Sequence, residues 1–398
     1  MKQNKWVMFF VVFFCSFTVI IAQLKIPPIM GMVIENLNVS LTSVGLIMSV
    51  FTITGIVLAI PGAAIMNKVG AKNLLVFLMF CVIVGNILGA FAENFAMLIV
   101  SRVIEGISYA LIIMVSIFVI STVFAGQRGG GLAMGLYNIF APLGSAITLN
   151  VGLQITQSLG FKSLWFIVAG FGAVSLLLAA FVLKLPKADA AAQGQGPAEK
   201  ISIAEAAKNS RTWILAFTMF VVAYIMFVCF QTYPVWYEQF YGLDTGRANF
   251  FASFNGLGGI PFCLLTGLLL EKTKKPYLIC LLGMLGLVIT AFTFDLLGPS
   301  TYAAHGLFSS LVGGFGMTTV MFIAPQLAKK PQFIGYAIAF VNFIYFFGVF
   351  ASSPVTLWVI ESSGFIAAKY VLTAIAAVGL ILSAVQYTMA RKAKSPGI

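Results

Sequence analysis

From residue 6 to residue 389 the chain is a succession of apolar runs, each long enough to cross a bilayer as a helix. The runs fall at 6–34, 41–66, 73–92, 95–124, 129–157, 161–184, 212–241, 245–270, 276–297, 301–328, 332–360 and 364–389. Hydrophobic residues make up 61% of the chain and charged residues 9%, against roughly 25% charged in a soluble domain. Too few polar side chains exist to cover a water-facing surface, so lipid is the expected solvent. The expected fold is an all-α membrane protein of twelve transmembrane helices. With that many crossings the chain leaves no room for a soluble domain.

The opening Met1-Lys2-Gln3-Asn4-Lys5-Trp6 and its apolar run imitate a signal peptide. The run passes 15 residues with no small-residue cleavage site, so it reads as the first span. The net charge of +12 comes from basic residues scattered singly or in pairs at the ends of apolar runs. That distribution marks topology and gives no reason to expect nucleic acid. Residues 185–211 are polar and of mixed charge, a linker with a short amphipathic helix expected at 201–209. Six runs lie on each side, giving an N-terminal unit 1–184 and a C-terminal unit 212–398. With the termini and linker on one side, that side collects Lys68, Lys72, Arg128, Lys272, Lys274, Lys329, Lys330 and Arg391, while the other keeps only Lys25, Lys162, Arg247 and Lys369. Both termini are therefore expected in the cytoplasm and the protein in the inner membrane.

The two units resemble one another. Asn67-Lys68-Val69-Gly70-Ala71-Lys72 follows the second run and Glu271-Lys272-Thr273-Lys274-Lys275 the eighth, and Gln23…Pro27-Pro28 in the first run matches Gln231…Pro234 in the seventh. The offset is about 204–207 residues, an internal duplication of the kind built into many transporters.

These loops resemble the Gly-x-x-x-Asp-Arg/Lys-x-Gly-Arg-Arg/Lys signature of the major facilitator superfamily. The first copy departs from it with Ala63 for Gly and Asn67 for the acid, while keeping Lys68, Gly70 and Lys72. The second keeps Gly267, Glu271, Lys272 and Lys275 but has Lys274 in the Gly position. Arg102-Val-Ile-Glu105-Gly106 in the fourth run is similar to the family's Arg-x-x-Gln/Glu-Gly stretch, and Gly135…Pro142-Leu143-Gly144 loosely to its Gly-Pro motif. The resemblance implies two six-helix bundles around a cavity walled by the first, fourth, seventh and tenth helices. It also implies alternating access by rocking of the halves, with the conformational motif carried by Asn67, Lys68, Gly70, Gly267, Glu271 and Lys272.

A charge inside a span costs about 2.5–3.5 kcal/mol on insertion scales, so such residues are candidates for function. Lys25 lies about 7.5 Å past the middle of the first run at 1.5 Å per residue. It is expected either to line the cavity, where it would attract an anion or pair with a carboxylate, or to snorkel to the outer interface. Arg102 and Glu105, three apart on one helix face, suit proton coupling or a structural ion pair, with Tyr109 on the same stripe. In the seventh run Tyr224, Gln231 and Glu238 recur every seven residues beside Tyr233 and Tyr237, a stripe suited to an amphiphilic solute or to the interface; Glu238 joins the coupling candidates, and Trp236 and Tyr241 read as interface residues. Asn138, Asn255, Asn342 and Tyr345 are further solute-binding candidates, in competition with interhelical hydrogen bonding. His305 reads as interfacial or as a proton relay, Asp295 as solvated.

Cys15, Cys81, Cys229, Cys263 and Cys280 all lie in apolar runs without metal-ligand spacing, and one His is present. No disulfide, metal or other cofactor is expected. No phosphate-binding Gly-x-x-x-x-Gly-Lys-Ser/Thr loop and no catalytic constellation occurs, which leaves an ion or solute gradient as the driving force and excludes an enzyme. The expected activity is secondary transport of a small organic or inorganic anion, for example a carboxylate, by proton symport or anion exchange. The alternative is multidrug or metabolite efflux by proton antiport, and a non-transporting sensor or scaffold is disfavoured for want of a signalling domain. The expected partners are that solute, protons or a counter-anion, and the lipid bilayer, with the chain a monomer.

Overall fold

A computed structural model describes residues 4–58, 61–124, 130–137, 139–185, 209–327 and 334–394. The linker helix expected at 201–209, the basic residues Arg128, Lys329 and Lys330, and Asn138 lie outside them, as does the side chain of Asn67.

Every regular element among the described residues is helical. That is the demand lipid makes: with no water to pair with, backbone N–H and C=O groups must bond within the segment. The N-terminal helices are α1 (Lys5–Leu24), α2 (Met30–Leu37), α3 (Leu41–Val50), α4 (Ile53–Leu58), α5 (Gly62–Val69), α6 (Ala71–Ala90), α7 (Phe95–Val123), α8 (Gly130–Tyr137), α9 (Phe140–Leu159) and α10 (Ser163–Leu177). The C-terminal helices are α11 (Ser210–Gln231), α12 (Thr245–Thr273), α13 (Pro276–Phe292), α14 (Tyr302–Ile323) and α15 (Ile334–Lys394). Short polar residues start them. Asn4, Ser40, Asn94, Asn209 and Asp244 each accept a backbone N–H of the first turn, satisfying donors that a helix start leaves free.

Nine helices among the described residues are long and apolar enough to cross a membrane, against twelve runs read from the sequence. Three places account for the difference. The ninth run forms only a 17-residue helix, Pro276–Phe292. The fifth is interrupted between Tyr137 and Phe140, and its longer piece carries Asn150, Gln154 and Gln157. The last two runs are two helices that meet at a kink at Gly364, φ 82°, and are counted together as α15.

The loop motifs find a backbone explanation. Gly70, after α5, has φ 85°, a conformation a Cβ disfavours. Lys274, in the matching Gly position after α12, has φ 53° and ψ 27°. The lysine thus adopts the left-handed turn itself, at roughly 1–2 kcal/mol. Lys68, Glu271 and Lys272 are exposed, and Gly267 has open space around it.

The N-terminal helices pack chiefly as α1 against α7 and α9, and α6 against α7 and α10; the C-terminal helices pack as α11 against α15, α12 against α14, and α13 against both α14 and α15. The two groups meet where α15 lies along α3 and α4, and α12 along α9. This seam runs inward from the end opposite the termini. There the Thr42 N–H and hydroxyl both donate to Glu361, the N–H at 3.1 Å, and Asn249 Nδ2 donates to the Pro28 carbonyl at 3.1 Å. One apolar core joins Ile26–Met48 to Tyr224–Tyr237 and Leu357–Ile360 across it. A second core belongs to the N-terminal helices, with Phe346 of α15 against its edge.

Candidate functional site

Pro27 and Pro28 stop α1. Proline has no N–H, so Pro27 leaves the Gln23 carbonyl, four residues back, without its helical donor. Arg102 of α7 takes up that acceptor. Its Nη2 donates to Gln23 O at 3.0 Å, Nη1 to Ala22 O at 2.7 Å, and Nε to Ile47 O at 3.3 Å. The guanidinium lies over the Phe51 ring at 4.3 Å. Gly106 makes the approach possible, because a Cβ there would run into the Phe51 carbonyl. The Arg102…Gly106 stretch therefore ties α7 to the broken end of α1 and to α3.

Glu105 lies between two cations. Its Oε2 accepts from Arg102 Nη1 at 2.7 Å and its Oε1 from Lys25 Nζ at 2.7 Å. Ser101 Oγ lies 3.3 Å from Oε1 but gives its one hydrogen to the Gly85 carbonyl at 2.7 Å. Lys25 Nζ also donates to Asn86 Oδ1 at 2.5 Å, and the asparagine is oriented by its own Nδ2, which donates to Val82 O at 2.8 Å. The Trp165 ring lies 5.3 Å from Nζ. Lys25, Asn86, Arg102 and Glu105 are all 0% exposed. Two cations against one carboxylate leave a formal charge of +1 in a volume without solvent.

Of the sequence expectations for Lys25, pairing with a carboxylate is the one met: its Nζ bonds Glu105, and the fully buried side chain does not snorkel. The chain turns at Pro27-Pro28 and sends the side chain into the N-terminal helices, where α6 and α7 supply acceptors. Arg102 and Glu105 pair as their spacing indicated, and the third member comes from another helix. Asn86 was not singled out from the sequence. A lone amide inside the third run was its only signal.

Above this cluster lies a layer at the seam. Tyr109 packs on Phe51 at 5.4 Å and on Phe346 at 6.2 Å, and its phenol lies beside Gln23 and Tyr345. Gln23 Nε2 is buried with no hydrogen-bond partner among the described residues. Gln23 is the second residue the sequence reading passed over, although it was visible as the counterpart of Gln231. Gln231 bonds Ser353 and Tyr224 bonds Thr356 at 3.2 Å, so both point at α15. Asn342 is half-buried on α15, one turn from Tyr345.

Glu238 leaves the stripe. The chain passes through a π-helical turn at Trp236–Phe240, which breaks the seven-residue phase, and Glu238 accepts from Thr245 at 3.0 Å, away from Arg102 and Glu105. Trp236 is 0% exposed, with its ring 4.3 Å from Phe294, so it is a core residue and not an interface one. Asp295 pairs with Lys369 at 2.8 Å where a solvated end was expected. Cys263 is exposed; the other four cysteines are buried.

His305 is also buried. Nε2 lies 3.1 Å from the Thr290 carbonyl and Nδ1 3.1 Å from the Tyr233 hydroxyl. A carbonyl only accepts, so Nε2 carries the proton and Nδ1 accepts from the phenol. Asn255 accepts from Ser309 at 2.9 Å nearby, its Nδ2 without a partner among the described residues. Tyr233, Thr290 and His305 follow Lys25, Asn86 and Ser101 by about 204 to 208 residues, near the repeat offset. The C-terminal helices thus hold a neutral bridge where the N-terminal helices hold a charged one.

The Major Facilitator Superfamily model matches residues 8–330. The chain belongs to that superfamily. Superfamily relatives are membrane transporters and not enzymes. The "Probable sulfoacetate transporter SauU" of Cupriavidus necator is 25% identical over 257 residues, 61% of this chain and 59% of that protein. The "Methylenomycin A resistance protein" of Bacillus subtilis is 26% identical over 149 residues, 37% of this chain and 32% of that protein. The "Uncharacterized MFS-type transporter YcnB" of the same organism is 24% identical over 169 residues, 42% and 36% respectively. In each case the match spans less than two thirds of the relative. Among solved structures, a point mutant of the nucleoside transporter NupG superposes with a TM-score of 0.79 at 14% identity, covering 97% of this chain and 100% of that one. A bacterial homolog of the human lysosomal transporter Spinster gives 0.78 at 13%, covering 98% of each. These two establish the superfamily fold for the chain.

Proposed function

We propose that the chain is a secondary transporter of a small organic anion, working by alternating access between units 1–184 and 212–398. The observation that carries the reading is the Lys25–Glu105–Arg102 cluster. It holds one uncompensated positive charge, fully buried, directly beneath a seam layer that presents an unpartnered donor at Gln23. An anion arriving at that layer lowers the electrostatic cost of the buried charge, and a cation raises it. The similarity to a probable sulfoacetate transporter supports the same direction. Tyr109 and Tyr345 supply neighbouring hydroxyls. The Thr42–Glu361 and Asn249–Pro28 contacts close the opposite end and part when the cavity opens there. Twelve crossings with both termini in the cytoplasm, and coupling by proton symport or anion exchange, belong to this proposal.

The test is uptake into proteoliposomes of labelled carboxylates, sulfonates and phosphate esters, with and without an inward proton gradient. Accumulation of one anion class supports the reading, and indifference to all of them removes it. A second reading, efflux of an apolar drug, has the aromatic layer of Tyr109, Phe346, Tyr345 and Phe227 and the resistance-protein relative in its favour. Raised drug tolerance of an expressing strain, with no anion uptake, would establish it instead.

A further inference from the structure

We propose that the coupling proton is carried on Lys25, with Glu105 ionised throughout the cycle. The inference rests on the proton-symport form of the function proposed above.

The hydrogen bonds at the cluster define which member can give up a proton. Arg102 is excluded, since a guanidinium does not deprotonate in proteins. Four of its five N–H groups are also committed, three to backbone carbonyls and one to Glu105. Glu105 accepts from Lys25 and Arg102, while the single hydrogen of the nearby Ser101 hydroxyl goes to the Gly85 carbonyl. A proton placed on either oxygen would compete with a charged donor: Arg102 at Oε2, Lys25 at Oε1. Each carboxylate oxygen thus receives a charged donor, Oε1 from Lys25 and Oε2 from Arg102, and the ionised form is the one that fits.

Lys25 is different. Its ammonium has three N–H groups, and the cluster offers two acceptors, Asn86 Oδ1 at 2.5 Å and Glu105 Oε1 at 2.7 Å. The remaining direction meets the Trp165 ring at 5.3 Å. A neutral amine has two N–H groups, which satisfy both acceptors with none left over. Losing one proton therefore breaks no oxygen contact and takes the formal charge of the cluster from +1 to 0. The step is a plain proton transfer: the N–H bond breaks, the electron pair stays on Nζ, and the proton leaves to water when the cavity opens.

The charged and titratable groups facing Lys25 are Glu105 and Arg102, both from α7. α6 presents Asn86 and α10 presents Trp165, neither of which titrates, and Tyr109 lies one turn further along α7. Protonating Lys25 thus creates the positive charge that an anion at the Gln23 layer compensates. Proton and anion load together because each offsets the charge of the other.

Trp165 provides a readout that needs no substrate. Intrinsic fluorescence of the full chain in liposomes is titrated across the neutral range for wild type, Trp165→Phe, Lys25→Met, Lys25→Arg and Glu105→Gln, with infrared difference spectra over the same range. Gel filtration verifies that each variant is folded. Wild type should show a one-proton change that Trp165→Phe removes. Both Lys25 variants should remove it too, since methionine has no proton to lose and arginine keeps its own. No protonated-carboxyl band should appear. The proposal is overturned if wild type shows no titration, if the change persists in either Lys25 variant, or if a carboxyl band appears that Glu105→Gln abolishes. Titration without anion uptake would count against the transport reading alone, and uptake without titration against Lys25 alone.

Discussion

Glu105→Gln removes the one negative charge from the cluster and leaves Lys25 and Arg102 facing each other. Each cation now sits 2.7 Å from a different oxygen of the carboxylate. With the carboxylate neutralised, two unit charges roughly 6 Å apart repel by about 3 kcal/mol at an effective dielectric near 20. Breaking a buried ion pair by removing one partner costs about 3–5 kcal/mol in general, and the two figures describe the same loss. Lys25→Met in the Glu105→Gln background removes the repulsion and should recover about 3 kcal/mol of it. Lys25→Met alone leaves Arg102 and Glu105 as a balanced pair but strands the buried Asn86 Oδ1 and Glu105 Oε1 acceptors, at about 1–3 kcal/mol. The order of stability is therefore wild type, then Lys25→Met, then the double variant, then Glu105→Gln. Thermal unfolding in detergent, followed by near-UV circular dichroism, measures it. The spread should be roughly 5 °C, from about 4 kcal/mol and the usual unfolding entropy per residue. Because large proteins often unfold irreversibly, the order at one scan rate is the result to compare. The reasoning fails if Glu105→Gln is as stable as wild type, or if adding Lys25→Met lowers its stability further.

Three other perturbations probe separate parts of the molecule. Gln23→Leu and Tyr109→Phe each remove one neutral hydrogen-bonding group from the seam layer, worth about 0.5–1.5 kcal/mol; the KM for anion uptake should rise roughly 2- to 10-fold with unfolding unchanged, and an unchanged KM would place the solute elsewhere. Glu361→Ala removes both Thr42 contacts, so spin labels at Asn36 and Ser363 should gain a longer-distance population, and an unaltered distribution would deny the seam a closing role. His305→Phe strands the Tyr233 hydroxyl in the core at a cost of about 1–3 kcal/mol. Its unfolding midpoint should fall while the proton dependence of uptake stays as in wild type, and loss of that dependence would move the coupling to the C-terminal helices.

Much of the fold was written in the sequence at the level of hydrophobic runs, because lipid admits few alternatives to helices. The same coarse pattern conceals how helices end. The break at Gly364 falls where the runs 332–360 and 364–389 divide, but the π-helical turn that takes Glu238 out of phase with Gln231 has no period of its own. At the site, Arg102 and Glu105 were legible because three residues on one helix make a neighbour. Lys25 reaches Glu105 across 80 positions and Asn86 across 61, through a turn set by Pro27 and Pro28, and local spacing carries no such information. His305 was misplaced for a related reason: its position near a run's end suggested the interface, while Tyr233 and Thr290, from two other helices, enclose it.

The central claim is that a buried positive charge at the seam selects an anion and moves it with a proton. Proteoliposomes loaded with buffer and given an inward proton gradient test this most directly, with the labelled anion panel outside. Wild type should accumulate one anion class only while the gradient lasts, and Lys25→Met should lose the gradient-driven accumulation. Gradient-driven accumulation that survives Lys25→Met, or accumulation of a cation in preference to every anion, would contradict the account.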